Sequence, residues 1–480
     1  MTQNSFEIRP SIFREYDVRG IAGQDLSPEF AECLGLAYAT LLVGRAPAQG
    51  RPHLTVAVGR DCRLTGEAYA TALIRGMQKG GLDVVDIGVC PTPLTYFSIF
   101  QLDLDGGVMV TGSHNPADYN GFKICIGKDT LHGARIQELR ERMIQVAQSG
   151  AVSDRVGLVC RTPMIPTYIE HLLKGAKKVR SMKVVLDAGN GTASTVAPEL
   201  FERLGAEVIP LYCELDGRFP NHHPDPTVPS NLRDLIAKVR ETGAAFGVGF
   251  DGDSDRIGAV DENGRILFGD ELMVIFARDV LQSHPGATII SEVKSSHRLY
   301  NDIAAKGGNG IMWKTGHSLI KSKMKETGAA LAGEMSGHIF FADRYFGYDD
   351  AIYAALRLYE IASAHTGPVS SLVADLPETL NTPEIRIDCI EEKKFALVEE
   401  TKRLLQGAAG SINDIDGVRI SFSDGWGLVR ASNTQPVLVL RFESTTQAGM
   451  SRIRTLVETA LAASASTLGH PVLDLSGGAH

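Results

Sequence analysis

LTVAVGRDCRLTGEAYATALIRGMQKGGLDVVDIG, residues 54–88, contains one complete strand–helix–strand unit. The run LTVAVGR has the apolar character of a buried strand, a polar loop follows, and residues 66–79 place apolar side chains at helical spacing. Gly80-Gly81 stops the helix, and LDVVDIG resumes as a second strand. Strands joined through a helix run parallel, with a right-handed crossover. The same order recurs twice. MKVVLDAGNGTAS (182–194) leads into an apolar-periodic helix at 195–204 and returns as AEVIPLY (206–212). ATIISEVKSSH (287–297) opens a third unit, with a helix to about 305, Gly307-Gly308 and the strand GIMWKT. Units spaced roughly 105–130 residues apart predict three α/β domains of related design.

The last hundred residues follow another pattern. EIRIDCI, VRISF, LVRAS and PVLVLRFES read as strands, SDGWG (423–427) as a turn, and stretches near 392–406 and 446–463 as helices. The expected fold is therefore α/β with four domains. Three related mixed-sheet domains occupy 1–158, 159–262 and 263–375, and an α+β domain with antiparallel pairing occupies 376–480. Expected linkers are GLVCRTPMIP (157–166), the hairpin near 258–268 and SSLVADLPETLNTP (370–383).

Composition narrows the function classes. The chain has 480 residues, 44% hydrophobic and 22% charged, enough for several cores. Lys+Arg 48 against Asp+Glu 57 leaves a net charge of −9, which argues against a nucleic-acid binder. An anionic ligand must then be held by a local basic cluster. Seven scattered cysteines without a C-x-x-C pair exclude a thiolate zinc site and a disulfide scaffold. No run of about 18 apolar residues occurs, and the first twenty residues lack an apolar segment. A soluble, cytoplasmic protein with no membrane partner is expected.

Four glycine-bearing polar loops carry the chemistry, one per expected domain. In VMVTGSHNPADYNGFK (108–123), Ser113 stands between Gly112 and His114-Asn115, so a backbone can approach its hydroxyl. Such a serine is a nucleophile when a base, cation or metal activates it; a plain Ser/Asn turn capping a helix is the alternative. In FGVGFDGDSDRIGAV (246–260), Asp251, Asp253 and Asp255 alternate with small residues after an apolar strand. Three neighbouring carboxylates need a cation, and oxygen ligands favour Mg²⁺, or else Mn²⁺ or Ca²⁺, over zinc. An EF-hand competes, since Glu262 falls at the twelfth loop position. But Arg256 replaces the glycine of the sixth, and Asn263-Gly264 signals a hairpin.

The third loop, LAGEMSGHIFF (331–341), spaces Glu334, Ser336 and His338 by two, so an extended segment points all three one way. A carboxylate, a hydroxyl and an imidazole suit the reading of sugar hydroxyls. Lys294 and Gly316-His317 belong to the same module. The fourth, WGLVRASNTQPVLVLRFE (426–443), crowds Arg430, Ser432, Asn433 and Thr434 into an anion cradle. Together they describe phosphoryl transfer on a polyhydroxylated substrate.

FREYDVRG (13–20), TGSHNP (111–116), DGDSDR (251–256), GEMSGH (333–338) and RASNT (430–434) resemble, in order, the signature loops of the α-D-phosphohexomutases. The methionine of GEMSGH resembles the phosphomannomutase/phosphoglucomutase branch; phosphoglucosamine mutases typically show GEQSGH. The resemblance implies four domains, the first three related, around a central active-site cleft. It implies a phosphoserine at Ser113 and one Mg²⁺ held by Asp251, Asp253, Asp255 and the serine's phosphate. The substrates implied are glucose and mannose 1- and 6-phosphates, interconverted through a hexose 1,6-bisphosphate that also serves as activator. Tyr16, Arg19, His114 and Lys123 are implied on the serine's side, with Lys123, Arg19 or His338 handling the hydroxyl proton. Arg256, Lys294, Gly316, His317, Glu334, Ser336, His338 and the Arg430–Thr434 loop are implied to bind substrate. A monomer is expected, with a dimer as the alternative. A phosphoglucosamine mutase and a metal-dependent sugar phosphatase are the competing activities.

Overall fold

A computed structural model of the chain describes residues 6–150, 152–433 and 435–475. Three of its four sheets repeat one design. A central strand is flanked on one side by the parallel partner reached through the helix, and on the other by a second parallel strand. That second strand then turns back into an antiparallel neighbour. In the first sheet these are Thr55–Arg60, Asp83–Val89, Gly106–Val110 and Tyr119–Ile126. In the second they are Lys183–Asp187, Glu207–Leu211, Phe246–Phe250 and Ile257–Asp261. In the third they are Thr288–Glu292, Asn309–Trp313, Leu331–Gly333 and Ile339–Phe341. The returning hairpin puts the serine, aspartate and glutamate loops at equivalent places, at the carboxyl end of the second parallel strand. Loops in that position are where open α/β sheets gather ligands.

Boundaries shift where strands recruit linker residues. Val159–Arg161 pairs with Asp83–Val89, so the first sheet extends past the expected limit at 158. Ile266–Leu267 pairs with Ile257–Asp261, so the hairpin expected as a linker completes the second sheet, beyond 262. The fourth sheet is antiparallel, with Val437–Ser444 beside Gly425–Ala431, and that strand beside Val418–Phe422. Phe422 faces Gly425 across the turn, so only Ser423 and Asp424 turn the chain; Trp426 and Gly427, expected in the turn, are strand residues. Helices Lys394–Leu405 and Gln447–Thr467 pack on each other and on Gly425–Ala431.

The interior is divided unevenly. One core runs from Ala57 and Phe97 through Leu186 and Phe250 to Phe276, Ile339 and Tyr359, and so joins the first three domains. A second, from Ile12 and Phe30 to Leu139 and Val146, lies wholly inside the first domain, and residues 385–473 enclose another, including Ile420, Leu440 and Ile453. The third and fourth domains meet across a small patch of Val293, Trp426 and Leu428. Among the described residues, no helix is long and apolar enough to cross a membrane.

Candidate active site

The strand Gly106–Val110, wholly buried, delivers residues 111–118 into the centre of the molecule. The loop joins two strands of a hairpin and caps no helix. Ser113 takes φ +48°, a left-handed conformation that costs a residue with a side chain about 1–2 kcal/mol. Its amide donates to Thr111 Oγ1 at 2.8 Å, and its hydroxyl donates to Asp251 Oδ2 at 2.9 Å and lies 3.2 Å from His114 Nδ1. Arg19 spans the loop, donating to the Gly112 carbonyl at 2.9 Å and to Asn115 Oδ1 at 2.7 Å, while pairing with Asp17. Burial drives the His114 imidazole well below its usual pKa, with Arg256 and Arg19 adding to the effect, so the ring is neutral.

Asp251, Asp253 and Asp255 are fully buried, and their ligand-capable atoms lie within 4.8 Å of one another. Asp251 Oδ1 is anchored by the amides of Asp255 at 3.0 Å and Arg256 at 3.1 Å. Lys123, on the returning strand of the first sheet, donates to Asp253 Oδ2 at 2.7 Å and to Asp255. Thr92 Oγ1 adds a 2.6 Å bond to Asp253 Oδ2. Burial, then Asp253 and Asp255, push Asp251 well above the carboxylate range. Burial acts the same way on Asp253, but Lys123 and Thr92 outweigh it and hold that carboxylate low. Conversely, the aspartates overcome burial and keep Lys123 charged. Asp253 Oδ1 and Asp255 Oδ1 are buried without a hydrogen-bond donor. Oxygen atoms left bare inside a protein are costly, and two of them converging beside a third carboxylate fit a hard divalent cation. Strands flank this loop, which excludes the EF-hand.

The third loop departs from expectation. Residues 334–338 form a tight turn, closed by the Gly337 amide on the Glu334 carbonyl at 3.0 Å, so the side chains do not line up along one edge. The Glu334 carboxylate accepts the Gly316 amide at 2.6 Å. Burial, reinforced by Glu292, raises it to about 7. His338 turns the other way: Nε2 accepts from Arg256 Nε at 3.0 Å, and Nδ1 faces Asp349 Oδ2 at 3.1 Å. His317 stacks on it with ring centroids 5.2 Å apart. Ser336 is half-buried.

The fourth loop reaches the others through Tyr16. Its hydroxyl donates to the Thr315 carbonyl at 2.9 Å and accepts from Asn433 Nδ2 at 3.1 Å, tying the first, third and fourth domains. Gly316 is required there. Its φ is +134°, and a Cβ would lie 2.2 Å from the Tyr16 hydroxyl oxygen. Arg430 projects from the strand Gly425–Ala431 and donates to Asp416 Oδ2 at 3.1 Å; that oxygen also accepts the Thr315 amide. Ser432 Oγ accepts the Gln435 amide at 3.2 Å. Thr434 lies outside the described residues. Lys294 sits in the seam between the third and fourth domains, bonded to Glu384 at 3.1 Å and 3.4 Å from Glu292. Thr92, Glu292, Asp349 and Asp416 all enter the site without having stood out in the sequence. Only Asp349, doubled with Asp350, left any local signal.

Comparison with known proteins covers nearly the whole chain. Residues 10–145, 166–264 and 268–380 match phosphoglucomutase/phosphomannomutase alpha/beta/alpha domains I, II and III, and residues 384–460 match the C-terminal domain. A phosphomannomutase/phosphoglucomutase of Pseudomonas aeruginosa is 49% identical over 461 residues, 96% of this chain and 97% of that protein. A phosphoglucomutase of Neisseria gonorrhoeae is 45% identical, over 93% of this chain and 96% of its own. The crystal structure of a phosphoglucomutase/phosphomannomutase family protein from Burkholderia thailandensis superposes with a TM-score of 0.89 at 40% identity, covering 97% of this chain and 99% of its own.

Proposed function

The chain belongs to the phosphoglucomutase/phosphomannomutase family, and from that premise we propose that it interconverts hexose 1-phosphates and hexose 6-phosphates through a phosphoserine at Ser113. The reaction class is an isomerisation by intramolecular phosphotransfer. The observation that carries the assignment of Ser113 is its hydroxyl held 2.9 Å from Asp251 inside the buried aspartate cluster.

Asp251, Asp253 and Asp255 would hold one Mg²⁺, which when bound draws charge from the phosphoryl oxygens and eases their transfer. The phosphoryl group passes from Ser113 to the free hydroxyl of a hexose monophosphate, giving a hexose 1,6-bisphosphate. After the sugar turns over, its other phosphate returns to Ser113. Of the three groups considered for the hydroxyl proton, Arg19 cannot release one at neutral pH. Lys123 is held charged by two carboxylates and so stabilises the negative charge of the transfer. His338 has both ring nitrogens engaged, Nδ1 toward Asp349 and Nε2 by Arg256, so it takes the proton only when Arg256 turns from it to the substrate. Arg430, Ser432 and Asn433 face the sugar's non-reacting phosphate in either orientation, and Glu334 with Ser336 reads its hydroxyls.

Intact mass before and after added glucose 1,6-bisphosphate tests this. The wild type gains one phosphate, and Ser113→Ala gains none and loses mutase activity with its circular dichroism unchanged. Full activity in a folded Ser113→Ala variant would refute a serine-borne phosphoryl group, and activity on glucosamine 6-phosphate alone would place the chain with the phosphoglucosamine mutases.

A further inference from the structure

Beneath the serine loop lies a buried ion pair that belongs to none of the motifs above. Asp61 and Arg63 follow the central strand Thr55–Arg60, and their side chains are 1% and 0% exposed. All five donors of the Arg63 guanidinium are used. Nε donates to Asp61 Oδ2 at 3.2 Å. Nη1 donates to the carbonyls of Pro116 and Tyr119, the latter at 2.8 Å. Nη2 donates to the carbonyls of Ser113, at 2.8 Å, and Asn115. Asp61 receives Thr111 Oγ1 at 2.7 Å and the Gly112 amide at 3.1 Å from the other side of the loop.

Four carbonyls of residues 113–119 therefore converge on one planar cation, which only a guanidinium can serve. A chain drawn in this way is curled, and the curl is where Ser113 adopts its left-handed φ. Gly112 leaves the space the group needs, since a Cβ there would lie 2.4 Å from Arg63 Cζ. From the second domain, the Phe219 ring covers the guanidinium at 5.2 Å.

We propose that Arg63 is a positioning residue for phosphoryl transfer: by gathering the serine loop's carbonyls it sets where the Ser113 oxygen stands relative to Asp251, and Phe219 locks it from the second domain. It touches no substrate, so its removal misplaces the transferring oxygen while leaving the sugar-binding loops of the third and fourth domains intact. The proposal rests on Ser113 carrying the phosphoryl group.

The test is steady-state kinetics with glucose 1-phosphate, and the rate of phosphate uptake from glucose 1,6-bisphosphate followed by intact mass, on the full chain. Lysine keeps the charge but offers a compact ammonium to acceptors spread over seven residues. In Arg63→Lys, kcat and phosphate uptake should both fall about 100-fold, the scale of a misplacement near 1 Å, while KM stays within about threefold of wild type. Phe219→Leu keeps the cation and loses its cover, and being at a half-buried position it guards against a folding failure of the first variant. It should lower kcat with KM unchanged. A folded Arg63→Lys enzyme with wild-type kcat, or one losing affinity and kcat together, overturns the proposal. If Arg63→Lys does not fold, undiminished kcat in Phe219→Leu overturns it. Failure of the wild type to take up phosphate would instead remove the premise that Ser113 is phosphorylated.

Discussion

Gly316→Ala puts the convergence of three domains at Tyr16 to a quantitative test. The new methyl group would sit 2.2 Å from the tyrosine oxygen and 2.5 Å from Cζ. Normal contact between such atoms is about 3.5–4.0 Å, so the ring must withdraw by more than about 1 Å. Withdrawal breaks the bond to the Thr315 carbonyl and the bond from Asn433, each worth about 0.5–1.5 kcal/mol. The contact loss is then about 1–3 kcal/mol, or roughly 5- to 150-fold in kcat/KM. Placing alanine at φ +134° adds a strain of about 1–3 kcal/mol that does not depend on Tyr16. A double-mutant cycle with Tyr16→Ala separates the two, because strain cancels and the clash does not. Conversion of glucose 1-phosphate to glucose 6-phosphate is the assay. In the Tyr16→Ala background, Gly316→Ala should be milder by that 5- to 150-fold factor. Strict additivity of the two substitutions would show that Tyr16 and Gly316 do not act as one joint.

Asp253→Asn should weaken Mg²⁺ binding by at least about tenfold and depress turnover, because one charged ligand is lost and the amide now faces Lys123; wild-type turnover surviving exhaustive chelation would contradict the metal assignment. Glu334→Ala should cost about 1.5–3 kcal/mol of a charge-assisted bond, roughly 10- to 150-fold in kcat/KM for glucose and mannose phosphates alike, with Mg²⁺ affinity unchanged. A variant that lost metal but kept sugar affinity would place Glu334 with the aspartates. Asp350 accepts the hydroxyls of Tyr168 and Tyr345 in the shared core, and burial raises it from 3.8 to about 6. The folded chain then keeps a proton that the unfolded chain releases, so stability falls as pH rises from about 4 to 6, by up to about 3 kcal/mol. Urea melts of Asp350→Asn should lose that slope, and an unchanged slope would mean that the carboxyl is not the source.

Where chemistry is concentrated in a few adjacent residues, the sequence discloses it. Asp251, Asp253 and Asp255 follow an apolar strand, and Ser113 sits among glycine and polar neighbours; each pattern is local and physically peculiar. The three strand–helix–strand units were legible for the same reason. What escaped was whatever depends on distant chain segments meeting. Arg63 looks like one more polar loop residue until the carbonyls of 113–119 close over it. Thr92 and Asp416 are ordinary singletons that meet Asp253 and Thr315 from 161 and 101 residues away. The Glu334–His338 segment misled through its period of two, which suits an extended strand equally well; Gly337 at φ +85° makes it a turn instead.

The separate core of residues 385–473 bears on how affinity is measured. A small patch of Val293, Trp426 and Leu428 ties that core to the rest of the chain, so the fourth domain is a melting unit of its own. Hydrogen exchange at Ile420 or Leu440 would report on the unit that carries Arg430 and be silent about the one that carries Ser113. Substrate binding draws on both, so apparent affinity equals the intrinsic one scaled by the fraction of molecules in which the fourth unit is folded and docked. On warming, KM would drift upward before the unit that carries Ser113 lost its structure, and substitutions confined to that small core would pass for binding mutants although they touch no ligand.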